Sequence, residues 1–267
     1  MRSPLVLVLV EPAGPLNVGS VARLAANFGI QELRLVAPRC NHLGEEALRM
    51  AVHGRWILEQ ASLYGSLAEA IADCRRVVAS TGRAEATIAG MATIPPLQTP
   101  EQGLGWLLAA DPTAPAALVC GREDRGLSND ELLQAGRLVR IGTEAAYPSL
   151  NLSHAVAVLL HELQRARAAT SQANSEPNSG PNSGPKPAAA AAPNDEQDPC
   201  PRGDLEAALA DAEALLLEAG FLYPHTAHAR MAKLRGLLQR AQARRQDVAL
   251  IRGMVRQLRW ASQHKTT

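Results

Sequence analysis

The run Leu5-Val6-Leu7-Val8-Leu9-Val10 constrains this chain more than any other stretch. Six apolar residues in succession leave no polar face to turn toward water, which is the pattern of a strand covered on both sides in a parallel sheet. The residues after it have the matching rhythm. A helix is expected from about Val18 to Phe28-Gly29, where glycine supplies the stop, then a strand over Leu33–Val36 broken by Pro38. Helices near Glu45–Val52 and Ser66–Ala72 flank a short apolar stretch at Trp56–Ala61. A strand at Val77–Ser80, a helix at Pro100–Ala109, a strand at Ala117–Cys120, a helix at Ser128–Ala135 and a last strand at Leu138–Ile141 come next. An apolar helix then runs toward Arg167. Strands alternating with helices predict an α/β domain with a mainly parallel sheet over residues 1–167.

From Ala168 to Gly203 the composition changes. The tandem Pro-Asn-Ser-Gly-Pro-Asn-Ser-Gly-Pro spans Pro177–Pro185, five alanines fill Ala188–Ala192, and prolines recur to Pro201. Such a segment cannot bury enough apolar surface to offset its ordering entropy, so residues 168–203 read as a disordered linker whose length alone sets reach. Deleting Asn174 to Asp198 is expected to change stability little. Residues 204–267 read as a small helical extension, with an acidic helix over Asp204–Leu217 and basic helices over Met231–Ala241 and Val248–Arg259, the last capped by Asp247. Charge is segregated within it. Asp204–Glu218 carries five acids, whereas Phe221–Thr267 sets the single acid Asp247 against ten Lys and Arg. Arg252, Arg256 and Arg259 share one side of a helix, with Val248, Ile251, Val255 and Leu258 on another. Arg230, Lys233, Arg235, Arg240, Arg244 and Arg245 extend a patch suited to phosphates, against the plain alternative of a solvated face.

Whole-chain numbers exclude more than they identify. Lys and Arg total 27 against 26 Asp and Glu, so a net charge of +1 hides any preference for nucleic acid. The four cysteines, Cys40, Cys74, Cys120 and Cys200, are far apart with no C-x-x-C, which argues against a zinc ribbon or a redox pair and for reduced thiols. Leu5–Val10 is too short for a signal sequence or a membrane span and is followed at once by Glu11-Pro12, so a soluble, cytoplasmic protein is expected. The turn after this strand contains two prolines and lacks the G-x-G-x-x-G of dinucleotide-binding folds. No Walker A motif is present. His225 and His228 have no partnering metal-ligand pattern, and no metal is expected.

Three stretches are left to carry chemistry, and each has a plain reading. In Asn17-Val18-Gly19-Ser20-Val21-Ala22-Arg23, Asn17 serves as a helix cap and Arg23 as a solvated charge. In Gly121-Arg122-Glu123-Asp124-Arg125-Gly126-Leu127, the charged side chains pair within a polar turn. In Pro148-Ser149-Leu150-Asn151-Leu152-Ser153-His154, Ser149 or Asn151 caps a helix whose Leu152, Val156, Leu159 and Leu163 pack at helical spacing. In this order and at these separations, however, the three resemble the motifs of the SPOUT class of RNA methyltransferases. Within it the SpoU/TrmH-like 2′-O-ribose methyltransferases are most similar, and among them the TrmJ-like tRNA enzymes. The resemblance covers residues 5 to 167 almost without a gap, and a fainter similarity returns after residue 220.

That resemblance implies a SPOUT domain with a C-terminal trefoil knot, a homodimer formed through the knotted region, and S-adenosyl-L-methionine as methyl donor. A ribose 2′-oxygen would attack the sulfonium methyl in line, with no metal required. It implies catalytic roles for Asn17, Arg23, Glu123, Ser149 and Asn151, with Arg23 contacting the nucleotide. Cofactor contacts are implied for Gly121, and nearby for Leu118, Gly126, Ile141, Leu150 and Leu152. Thr81 and Gly82 join them from Ser80-Thr81-Gly82-Arg83, whose wording departs somewhat from the family's commoner patterns. RNA contacts are expected from Arg23, Arg122, Arg230, Lys233, Arg235, Arg244, Arg245, Arg252, Arg256 and Arg259. The implied substrate is tRNA, at ribose 32 of the anticodon loop, with ribosomal RNA as an alternative. A catalytically silent RNA-binding or assembly protein of the same fold is the main competitor. A small-molecule α/β enzyme is a third reading, which predicts no binding of S-adenosylmethionine.

Overall fold

The computed structural model describes residues 4–83, 95–109, 114–173 and 198–264. Among the described residues seven strands form one sheet: β1 (Leu5–Val10), β2 (Glu32–Val36), β3 (Ser62–Tyr64), β4 (Arg76–Ser80), β5 (Leu97–Gln98), β6 (Ala116–Cys120) and β7 (Arg137–Val139). Their order is β3-β2-β1-β6-β4-β7-β5, and every pairing is parallel. The apolar run of β1 is explained by its place between β2 and β6. Leu5, Leu7 and Leu9 enter the core on one face, and Val6, Val8 and Val10 enter the core on the other. The two strands without a counterpart in the sequence reading, β3 and β5, lie at the two margins of the sheet and span three and two residues, too short to show periodicity.

Helix α1 (Pro15–Asn27) follows β1, and α2 (Glu45–Ala51), a 3-10 turn and α3 (Arg55–Glu59) connect β2 to β3. Proline at the first position of α1 lacks an N–H that would have no partner there anyway, so the helix begins at Pro15 with Gly14 as cap residue. Asn17 therefore stands inside the first turn and does not cap it. A Cβ on Gly19 would meet the Ala47 carbonyl oxygen at 2.3 Å, so this motif glycine lets α1 lie directly against α2. On the opposite face are α4 (Leu67–Ala70) and α6 (Asn129–Leu132), both with capping boxes, whereas α5 (Pro100–Leu108) packs on the α1 face. Helix α7 (Leu152–Ala173) buries Leu152, Val156, Leu159, Leu160 and Leu163 beside α1.

The C-terminal part is three helices, α8 (Arg202–Glu218), α9 (Pro224–Arg240) and α10 (Arg245–Gln263), around Leu205, Leu209, Leu215, Met231, Val248 and Val255. Several expectations need correcting here. Helix α9 starts at Pro224, well before Met231, again with proline in its first turn. Asp247 is not the cap of α10 but its third residue, where it accepts the Arg244 N–H at 2.8 Å. The expected linker is trimmed at both ends, because α7 continues to Ala173 and Asp198–Cys200 are buried just before α8. The rest of it, 174–197, lies outside the described residues. Nor do Arg252 and Arg259 face solvent together with Arg256. Their Nη2 groups donate to the carbonyls of Asp204 and Asp211 on α8, each at 3.3 Å, and Leu258 is exposed instead of packed. The seam of α10 is set by Val248, Ile251 and Val255, and arginines bordering that seam lie over α8.

Candidate active site

Parallel sheets gather their loops at the carboxyl ends of the strands, and crevices form where neighbouring crossovers diverge. Here the turns after β1, β4, β6 and β7 converge, and they are joined by polar side chains. The order of construction can be read from Glu123. Its carboxylate, able only to accept, takes the N–H groups of Gly14 (3.0 Å) and Ala13 (3.1 Å), so the proline-rich turn after β1 is folded onto the turn after β6. It also takes the amide of Asn17 at 3.1 Å. That bond fixes the orientation of Asn17, whose oxygen then accepts the amide of Asn151 at 3.0 Å. Asn151 is left with its own oxygen for the start of α7, where it accepts from Ser153 N (2.9 Å), Ser153 Oγ (2.8 Å) and His154 N (3.4 Å).

Asn151 is thus both a helix cap and one end of a directed chain to Asn17 and Glu123, so the plain and the functional readings of this residue coincide. The linked residues are 134 and 106 positions apart in sequence. Burial alone would raise the Glu123 carboxyl, but the Gly14 and Ala13 N–H groups and the Asn17 amide hold it below the usual carboxylate range. It is therefore an anionic anchor.

Behind the same turn, Arg122 is taken up by protein. Its side chain is only 9% exposed and makes two-point bonds to Glu131 at 2.8 and 2.9 Å, with further bonds to the Gly126 carbonyl and to Glu11. The expectation of an RNA contact from Arg122 is corrected on this ground, since its donors are committed inward. Glu11 also pairs with Arg39 and Arg125, and it sits in left-handed backbone at φ 46°. The hydrogen bond from Arg122 draws its carboxyl down to about 2 against opposing burial. Gly121 and Gly126 make this turn possible. A Cβ on Gly121 would lie 2.4 Å from the Gly126 carbonyl carbon, and Gly126 has φ 68°.

A cavity of about 280 Å³ opens between these turns. Thr81 and Gly82 line it from the end of β4, Gly121, Glu123 and Gly126 from the turn after β6, and Ile141, Ser149, Leu150 and Leu152 from the segment leading into α7. Arg83 ties two of its walls together, donating to the Leu127 carbonyl at 2.8 Å and to Asn129. Leu118 is not at the cavity. It is fully buried in mid-strand, paired with Leu7 and Val78, and Cys120, two residues further along the same face, lines the wall in its place. Burial pushes the Cys120 thiol up to about 12, so that wall is neutral and apolar. Thr143 also lines the cavity and was missed. It donates to the Pro148 carbonyl at 3.1 Å, and its position shortly after β7 parallels that of Thr81 after β4.

Arg23 is exposed on α1, six residues after Asn17, and does not line the cavity. Of the C-terminal cations, Arg230, Lys233, Arg240, Arg244, Arg245 and Arg256 are exposed. Arg235 is clamped on Glu206 by two-point bonds at 2.9 and 2.8 Å, and with Arg252 and Arg259 it faces α8. His228 Nε2 lies 3.3 Å from Asp130, and His225 stacks on Tyr223. Among the described residues no helix is long and apolar enough to cross a membrane, and no group of three or more His, Cys, Asp or Glu is placed to hold a metal.

Residues 4–161 match the SpoU rRNA Methylase family, and residues 203–267 match the C-terminal domain of the tRNA methyltransferase TrmJ. Over 252 residues, 93% of either chain, this sequence is 34% identical to the tRNA (cytidine/uridine-2'-O-)-methyltransferase TrmJ of Cronobacter sakazakii. The tRNA (cytidine-2'-O-)-methyltransferase TrmJ of Methanocaldococcus jannaschii is 41% identical over 157 residues, 59% of this chain and 66% of that one. The crystal structure of TrmJ from Z. mobilis ZM4 superimposes with a TM-score of 0.76 at 27% identity, over 95% of this chain and 98% of that one.

Proposed function

Because this chain belongs to the SpoU methylase family, in its TrmJ branch, we propose that it is a tRNA methyltransferase that transfers a methyl group from S-adenosylmethionine to a ribose 2′-hydroxyl. We place the target at ribose 32 of the anticodon loop and the enzyme in the cytoplasm. One observation carries the reading. Three stretches that are distant in sequence meet through the chain Asn151–Asn17–Glu123, in which Glu123 lines the cavity and Asn151 stands between the lining residues Leu150 and Leu152, at the carboxyl ends of β1, β6 and β7.

The cavity suits the methyl donor. Ile141, Leu150, Leu152 and the neutral Cys120 offer apolar wall to a flat base, while Thr81 and the backbone beside Gly121 offer polar contacts. S-adenosylmethionine, when bound, supplies an activated methyl group on a sulfonium. The protein's own contribution is positional. Glu123, anionic and bonded by three donors, is a poor proton acceptor, and its part is to hold Asn17 and the turn after β1 in register. Ser149, at the cavity, would orient the ribose hydroxyl, with Asn151 held in one orientation by Asn17 at the rim. Arg23 would hold the nucleotide's phosphate in two-point geometry. Its exposure leaves it open to substrate.

The exposed cations of α9 and α10 would meet tRNA outside the target loop. A trefoil knot and a homodimer belong to the same reading. Leu16, Leu150 and Val158, all at least 38% exposed, leave apolar surface on α1, the segment before α7 and α7 for a second copy. Isothermal titration with S-adenosylmethionine tests the assignment. Saturable binding that is weakened by Leu150→Asp is expected, and no binding would contradict it.

A further inference from the structure

The residues that composition assigns to the end of the linker form a buried strap between the two halves of the molecule. Asp198 accepts a hydrogen bond from Arg76 Nη2 at 2.7 Å, with the two side chains 10% and 12% exposed. The same guanidinium donates to the Trp106 carbonyl at 2.7 Å and lies over the Trp106 ring, 5.2 Å from its centre. Next along the strap, Arg202 N donates to the Cys74 carbonyl at 3.0 Å and Gly203 N to the Ala72 carbonyl at 2.8 Å. In the other direction, Cys200 N donates to the Ala243 carbonyl at 2.9 Å, in the turn between α9 and α10. The strap thus bonds β4 and the turn before it on one side and the helical extension on the other. At the far edge, Ala232 of α9 is buried in the core that holds Leu132 and Leu133, and His228 meets Asp130. Helix α9 therefore sits beside α6, which comes directly after the cavity's Gly121–Leu127 wall.

We propose that the Arg76–Asp198 pair positions the helical extension for tRNA, holding the exposed cations of α9 and α10 at one fixed distance and angle from the cavity. This rests on the reading that those cations bind tRNA. A pair this deeply buried adds little net stability, because desolvation offsets most of its attraction, but it accepts only one arrangement of its partners. Its effect is on registration. Two binding regions on a fixed scaffold act at a high effective concentration on one ligand, whereas a loosely hung region loses that advantage. The loss appears in the affinity for tRNA and not in the methyl-transfer step or the affinity for S-adenosylmethionine.

The test uses the full chain, measuring KM for tRNA, kcat at saturating tRNA and Kd for S-adenosylmethionine. Asp198→Asn should raise KM for tRNA about tenfold, with kcat and cofactor Kd within about twofold. Asp198→Glu, which keeps the charge, should recover most of the loss, and Arg76→Lys, which keeps charge without the planar fork that reaches both Asp198 and the Trp106 carbonyl, should fall between. An unchanged KM in both Asp198→Asn and Arg76→Lys would overturn the proposal, as would a fall in kcat and cofactor affinity in step with KM. A chain with Arg230, Lys233, Arg240 and Arg256 all changed to Ala separates the two ideas. If it binds tRNA as tightly as the parent, the tRNA role of these helices fails and the strap's role with it. If it binds weakly while Asp198→Asn does not, the strap alone fails.

Discussion

The polar rim of the cavity and the cations of the C-terminal helices are built on opposite plans. At the rim, amide and carboxylate groups from distant parts of the chain bond to one another and to backbone N–H groups, and Glu123 sets the direction of the chain as far as Ser153. In the C-terminal helices the cations divide. Arg235, Arg252 and Arg259 close on acidic α8, while Lys233, Arg240 and Arg256 stay exposed, as does Arg230, which gives one donor to the Phe221 carbonyl at 3.2 Å. A site that positions reacting atoms needs its side chains fixed before substrate arrives, whereas a surface that meets phosphates needs its donors unspent. The same residue types therefore carry different meanings in the two places, and partners decide which.

The largest effects should come from the rim and its neighbour Arg23. Asn151→Ala removes a cap and the last link to Asn17, and single-turnover methyl transfer should fall by about a hundredfold or more. The fold should survive, since a lost cap costs about 1 kcal/mol. Arg23→Ala should cut transfer by a similar factor and leave the Kd for S-adenosylmethionine unchanged. Near-normal rates in both variants would remove the rim from the chemistry.

Changing Arg230, Lys233, Arg240 and Arg256 to Ala should weaken tRNA binding and flatten its dependence on salt by about one unit for each phosphate no longer neutralised. Changing Arg235, Arg252 and Arg259 to Ala instead should lower the melting temperature and leave the salt slope as it was. If the second set flattens the slope and the first does not, the division drawn between them is wrong.

A smaller loss is expected for Glu123→Gln. One of its oxygens becomes a donor facing donors, at a cost of about 1–3 kcal/mol and with transfer slowed about tenfold. The smallest effect concerns acid. Glu11 has its carboxyl drawn down to about 2, so the stability it contributes is present above the ordinary carboxylate range and is lost as pH falls through that range toward 2. Glu11→Gln should flatten that limb of the stability curve, and an unchanged acid limb would show that the Arg122 pair contributes nothing there.

Legibility in the sequence divides along the same line. Strands such as Leu5–Val10 were legible because double-sided burial leaves a continuous apolar run, and the three motif stretches because residue types and separations were both informative. The connection of Asn151 to Asn17 was not legible, since hydrogen bonds across 134 residues leave no local period. Leu118 was assigned to the cavity and lies in the core, because strand alternation gives the face of a residue but not how far along the strand the cavity reaches. Arg122 was assigned to RNA through the motif it belongs to, and Arg252 from charge and spacing. Neither signal reports that Glu131 or the Asp204 carbonyl is the nearer partner. The buried strap at Asp198–Gly203 was hidden by its own composition, which near Pro199 and Pro201 looks like linker while its backbone bonds to two separate units.

The most direct measurement is methyl transfer by the purified protein to unmodified tRNA with labelled S-adenosylmethionine, followed by digestion and identification of the methylated nucleotide. A single 2′-O-methyl nucleotide at position 32 is predicted, formed in the absence of added metal and lost in Asn151→Ala. A methyl group on a base, transfer to ribosomal RNA alone, or no transfer by a protein that binds the methyl donor would contradict it.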